Sequence, residues 1–171
     1  MNELEQIRGW FAGRLPDDWF TGPPEIEADR DEILVVGPLP EPELGADATD
    51  EARAVAIEAR VQGFRDDTRA RRIRIAQQAE RRFGRAVSWG VTCAGRRVLF
   101  TTLSVPTMTR LRMPERRVLD TLVDAGVARS RSHALAWCVA LVAERQDEWL
   151  ADLRAALRAV EEVRASGPRA R

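Results

Sequence analysis

Met108, Arg110 and Arg112 alternate along the stretch 107–113, and Ser130, Arg131 and Ser132 stand together further on. In a strand, alternate residues point to one side. Met108, Arg110 and Arg112 would then share a face, and Thr109, Leu111 and Met113 would take the other. Two arginines on one face offer paired hydrogen-bond donors that can grip a two-pronged acceptor, whereas Met108 offers apolar contact only. The same face also fits a solvated edge, because charge on an edge strand prevents aggregation. Ser130 or Ser132 can N-cap a helix with its hydroxyl.

Other chemistries find little support. His133 is the single histidine, and the two cysteines, Cys93 and Cys138, lie far apart, so the ligand spacing of a zinc site is missing. Neither a nucleophile elbow nor a phosphate-binding Gly-rich loop is present. Carboxylates are everywhere and no pair stands out. No catalytic residue, metal or cofactor is therefore expected, and the chain does not read as an enzyme. No apolar run approaches the ~20 residues of a membrane span, and no signal peptide is visible. Reduced thiols and a cytoplasmic, nucleoid-associated location are the expectation.

The elements around these residues follow from pattern. Pro114 ends the strand and suits the first turn of a helix. Val118, Leu119, Leu122 and Val123 recur at helical spacing, and Gly126 sits where a left-handed C-cap belongs. A second helix carries Leu135, Cys138, Leu141 and Val142 on its apolar face. With Leu111-Arg112-Met113-Pro114, Gly126 and Arg129-Ser130-Arg131-Ser132 in this order, the segment 107–142 resembles the ribbon-helix-helix DNA-binding family, that of the Arc and methionine repressors.

The resemblance implies a dimer, because one strand and two helices cannot bury a core alone. The paired strands would enter the major groove of double-stranded DNA. Met108, Arg110 and Arg112 would face base edges, with arginine donating to guanine O6 and N7. Ser130, Arg131 and Ser132 would hold a backbone phosphate at the helix N-terminus. The function implied is that of a sequence-specific transcriptional repressor or autoregulator. The alternative is a dimeric interaction hub or an antitoxin-like protein that holds a protein partner.

Before this module, residues 2–13 suit a short helix with Leu4, Ile7, Trp10 and Phe11 on one face. Trp19 and Phe20 in the loop after it should dock on the domain. Residues 25–28 and 32–36 read as a hairpin, and Pro38, Pro40 and Pro42 impose an extended linker. Thr49 should cap one long helix to Phe83, which Gly63 bends or breaks. A second hairpin joins 87–93 to 98–103 through Gly95. Ser104-Val105-Pro106 is too short for a flexible linker, which predicts an N-terminal domain held rigidly against the module.

Charge is zero overall but uneven. Between Leu15 and Glu51 twelve carboxylates face one arginine, Arg30, whereas from Arg65 to Arg85 eight arginines face three acids. All 27 basic residues are arginine, a bias that a high-GC coding sequence also produces. The basic helix could pair with the acidic segment, or it could supply auxiliary DNA contacts through Arg71, Arg72 and Arg74.

The expectation is an α+β chain. A small N-terminal domain (1–104) of antiparallel sheet plus long helix has an open role: it could bind an effector or a protein partner, or only enlarge the dimer. A dimeric ribbon-helix-helix module (105–145) follows, then a helical extension (146–164) that strengthens the dimer or joins dimers into a tetramer. The tail (165–171) is expected to be disordered.

Overall fold

Glycine, proline and capping residues punctuate the chain into helices and strands whose order is set early. The computed structural model describes residues 3–45 and 47–166. Among them the elements run α1 (Glu3–Ala12), β1 (Glu25–Ala28), β2 (Glu32–Pro38), α2 (Asp50–Asp67), α3 (Arg69–Phe83), β3 (Ala86–Cys93), β4 (Arg96–Leu99), α4 (Met113–Asp124), α5 (Arg131–Arg145) and α6 (Asp147–Ser166). This is an α+β chain with one four-stranded sheet, and it divides into two compact units, Met1–Pro106 and Thr107–Arg171.

In the first unit the strands lie in the order β1-β2-β3-β4. The two outer pairings are antiparallel, as the hairpins require. The central one, β2 with β3, is parallel, with Val35 opposite Trp89. This corrects the expectation of an antiparallel sheet. Two helices separate β2 from β3, and a helical crossover returns the chain in the direction in which it left. Both central strands are mostly buried, as a parallel pair under helices must be.

The turns are local products. The Asp29 carboxylate accepts from the N–H groups of Asp31 and Glu32, each at 2.8 Å, and closes the first hairpin. Those two bonds hold its pKa below the usual carboxylate value. Ala94 and Gly95 both take positive φ, 49° and 74°, and make the second turn. The second hairpin is shorter than expected. Phe100 and Thr101 both donate to the Trp89 carbonyl, and β4 has already ended at Leu99.

The long helix is two helices. Gly63 passes without a break, and the interruption falls at Thr68. The Thr68 hydroxyl donates back to the Phe64 carbonyl and accepts from Arg72 Nε at 2.9 Å. A threonine that bonds one turn back often bends a helix, and here the break coincides with it. Thr49 caps α2 by accepting from Ala52 N–H, and Gly84 closes α3 with φ 69°.

Ile7 and Phe11 of α1, Val61 of α2, Ile75 and Ala79 of α3 pack with Ile33, Val35, Trp89 and Val91 of the sheet. Trp19, Phe64, Trp89 and Phe100 add edge and tilted ring contacts at 5.7–6.2 Å. Each fully buried large apolar side chain here contributes roughly 1.5–3 kcal/mol. Trp19 and Phe20 dock as expected, and the Phe20 ring occupies the space that a Cβ at Gly37 would need. Across the other face of the sheet, Arg97 of β4 bonds both Glu25 and Glu27 of β1.

The described residues of the second unit form three helices. The helical pattern after Val142 does break at Gln146, giving α5 and α6. Only Leu119, Ala128 and Ala134 of the described residues in this unit are buried, with Leu111, Leu122, Val123, Leu135 and Cys138 packed around them. The expected disordered tail falls on residues 165–171, of which α6 includes the first two; residues 167–171 lie outside the described ones.

Candidate nucleic-acid interface

The second unit positions the segment 107–112 from below. Arg112 is the N-cap of α4 with extended backbone (φ −82°, ψ 174°), and α4 begins at Met113, one residue earlier than the sequence reading placed the end of the strand. Arg116, one turn on, donates to the Leu111 carbonyl at 2.7 Å and ties the segment to the helix. Leu111 turns inward onto Leu119. Residues 107–112 make no ladder, and the chain supplies no strand beside them among the described residues.

Met108 is 97% exposed, and Arg110 and Arg112 are exposed on either side of the inward Leu111. Among the described residues no carboxylate pairs with either arginine. Thr109 and Met113, expected on the inner face with Leu111, are exposed as well. Beneath the segment lies an open groove of about 380 Å³, lined by Thr107, Leu111 and Leu119 on one side and Arg131, Ser132 and Leu135 on the other.

The α4–α5 turn brings the second group of residues to that groove. Gly126 takes φ 73°, and Val127 and Ala128 both donate to the Leu122 carbonyl, which closes α4. Ser130 N-caps α5 by accepting from His133 N–H at 3.2 Å. His133 Nδ1 in turn accepts from the Arg129 N–H at 3.1 Å. His133 thus has a structural role in the cap.

Arg131 is committed elsewhere in the unit. It forms a two-pronged pair with Asp120 of α4, at 2.6 and 2.7 Å. The pairing lowers the Asp120 pKa and raises that of Arg131. Both side chains are solvent-exposed, so the pair fixes geometry more than it adds stability. The sequence reading missed Asp120. The signal was an acid on α4 eleven positions before an arginine, legible only once the turn between the helices is known.

The three arginines named on the basic helix part company. Arg72 is 6% exposed and is corrected from a surface contact to a core residue. It bonds Thr68 and the Arg65 carbonyl (2.6 Å) and lies over the Phe100 ring at 4.9 Å. Burial, with Arg65 and Arg69 adding repulsion, lowers its pKa. Arg71 and Arg74 stay on the surface, where they line a hollow with Arg14 of the α1–β1 loop. Arg14 donates to Gln78 at 2.6 Å and so joins that face of α3. Arg14 was not singled out from the sequence. Beside α3 a larger cleft of about 590 Å³ reaches from Arg65 and Arg69 to Trp89 and Phe100.

Among the described residues, no group of three His, Cys, Asp or Glu side chains is arranged to hold a metal ion. Cys93 is buried, and its thiol pKa is raised by that burial. No described helix is long and apolar enough to cross a membrane.

Residues 5–99 match a family model described as "Rv1265-like protein, N-terminal domain", and residues 112–164 match one described as "Mb1296 C-terminal domain". "Uncharacterized protein Rv1265" of Mycobacterium tuberculosis and "Uncharacterized protein Mb1296" of Mycobacterium bovis are each 58% identical to this chain over 159 residues. The match covers 93% of this chain and 69% of each relative. No solved structure matches.

Proposed function

The chain belongs to the Rv1265-like protein family, and we propose that it acts as a dimeric, sequence-specific DNA-binding protein of the ribbon-helix-helix type. The observation that carries this reading is the placement of Arg110 and Arg112. Two exposed guanidiniums flank an inward leucine, and among the described residues they have no carboxylate partner and their segment no strand partner. A second copy would supply that partner. The paired strands would then be narrow enough for the major groove, with Met108, Arg110 and Arg112 toward the bases.

The second unit's small core supports a dimer. Val118, Val139 and Val142 stay largely exposed in the single chain, and apolar area of that kind marks an interface. Ser130, Ser132 and the free N–H groups of the α5 start would take a phosphate. Arg131 would contribute to it only by loosening its pair with Asp120. Arg14, Arg71 and Arg74 form a second basic surface, in place of the Arg71, Arg72 and Arg74 trio. Repression or autoregulation at a palindromic operator, in the cytoplasm, is the role this arrangement suits. A dimeric hub for another protein is the second reading. It draws on the exposed apolar residues of α6 and leaves Arg110 and Arg112 without a task.

Fluorescence anisotropy on duplex DNA across a salt series tests the proposal. The native chain should bind with an affinity that falls steeply with salt. Arg110→Ala/Arg112→Ala should lose binding, by ~1–3 kcal/mol at one base position for each arginine. Binding that survives the double substitution would move the contact to Arg14, Arg71 and Arg74. No binding at low salt would leave the hub reading.

A further inference from the structure

We propose that α6 pairs side by side, in parallel, with α6 of a second copy of this chain. The inference stands independently of the DNA reading, because it rests on one helix and its own sequence. None of the α6 residues whose burial is described is buried in the single chain, yet Trp149, Leu153, Leu157, Val160 and Val163 are apolar and 42–71% exposed. A helix of this length gains most of its stability from packing an apolar face, and here only Leu150 of that face is half-buried while its other apolar residues stay exposed.

The spacing defines the seam. Leu150, Leu153, Leu157 and Val160 recur at intervals of three and four, the a and d positions of a heptad. Trp149, Ala156 and Val163 occupy the g positions, and Arg154 and Glu161 the e positions. Asp152, Ala155, Arg158, Ala159 and Glu162 lie on the outer face.

The flanking charges choose the occupant and its direction. In a parallel pair each g residue faces the e residue of the next heptad on the other helix. Trp149 then faces Arg154 of the second copy, an arginine beside an indole, and Ala156 faces Glu161. No like charges meet along the four apolar layers. Beyond those layers Arg164 takes the next a position and meets its own copy, one like-charge meeting at the end of the seam, where both long side chains can reach solvent.

The antiparallel register that also stacks all four layers sets Leu150 against Val160 and Leu153 against Leu157. It brings Arg154 against Arg154 and Asp147 toward Glu161, two like-charge meetings. The antiparallel register one heptad away places Leu153 against Arg164 and loses apolar layers. The sequence of α6 is therefore complementary to a parallel copy of itself.

The test is disulfide cross-linking of the full chain in a Cys138→Ser background, with Cys93 left buried. Leu157→Cys is at a seam position and Ala155→Cys on the outer face; both sites are exposed in the single chain, so neither substitution disturbs its core. Under mild oxidation the Leu157→Cys chain should form covalent dimer at least about tenfold faster than the Ala155→Cys chain, as expected when a-position residues meet across a parallel pair. Adding Leu153→Asp should bring its rate down to that of the control. Equal rates for the two single-cysteine chains would overturn the proposal and leave the face to another partner. Cross-links that form only between Leu153→Cys and Leu157→Cys chains would overturn it in favour of the antiparallel pair.

Discussion

The two units bury their apolar residues on different terms. The first gathers residues from α1, α2, α3 and every strand except the short β4 into one cluster, in which Phe11 and Trp89 meet edge to face, and Val98 of β4 packs against it. Among its described residues the second buries three, two of them alanines, and leaves a tryptophan, three valines and a leucine of α5 and α6 more exposed than buried. Burial of large side chains is what offsets chain entropy, so the first unit can fold by itself and the second cannot do so to the same depth. In the account proposed above a second copy completes the second unit, whereas the first unit is a self-sufficient body.

Arginine shows the same contrast at single positions, and substituting it sharpens the comparison. Arg72 is inside the first unit, held by Thr68, the Arg65 carbonyl and the Phe100 ring. Arg72→Ala should cost roughly 1–3 kcal/mol, because the Thr68 hydroxyl and the Arg65 carbonyl lose their buried donor. Arg110→Ala or Arg112→Ala, which removes an exposed side chain without a carboxylate partner, should change stability by less than about 0.5 kcal/mol. Urea unfolding followed by circular dichroism measures both. Comparable losses at Arg72 and Arg110 would erase the distinction between a structural and a functional arginine.

A smaller effect comes from the turn of the first hairpin. The folded-state pKa of Asp29 is lowered, so the carboxylate's contribution is present above the unfolded value and is lost as pH falls through the folded one. Asp29→Asn should therefore destabilise the first unit slightly near neutral pH, and the gap from the native chain should narrow in acid. A gap that widens in acid would reverse the sign and rule out the two backbone bonds as its cause. The Asp120–Arg131 pair obeys the same sign in the second unit, where exposure to solvent weakens it further.

Local chemistry explains what was legible in the sequence. Thr49 and Ser130 announce helix starts, Gly84 and Gly126 announce ends, and Ala94-Gly95 makes its turn without help from the rest of the chain. What was not legible depends on distant partners. The parallel pairing of β2 and β3 is decided by the crossover through α2 and α3, which the sequence reading took for one long helix. The break at Thr68 rather than Gly63 needs the hydroxyl bonded one turn back and to Arg72. Arg72 itself looked like surface because its neighbours are charged, and only the fold shows that it sits over Phe100. At the candidate interface, alternation put Arg110 and Arg112 on one face, and the resemblance gave them a role. It had no means to show that Asp120 holds Arg131 or that Arg14 joins Arg71 and Arg74.

The central claim, that the second unit is half of a two-chain DNA-binding module, is tested most directly by melting the full chain over a hundredfold range of concentration, with and without duplex DNA at low salt. The account predicts two transitions. That of the second unit should rise with protein concentration, a stabilisation of ~2.8 kcal/mol per dimer over the hundredfold range, and should rise again with duplex. That of the first unit should stay where it is. A second-unit transition that ignores concentration, or a duplex that raises only the first, would contradict the account.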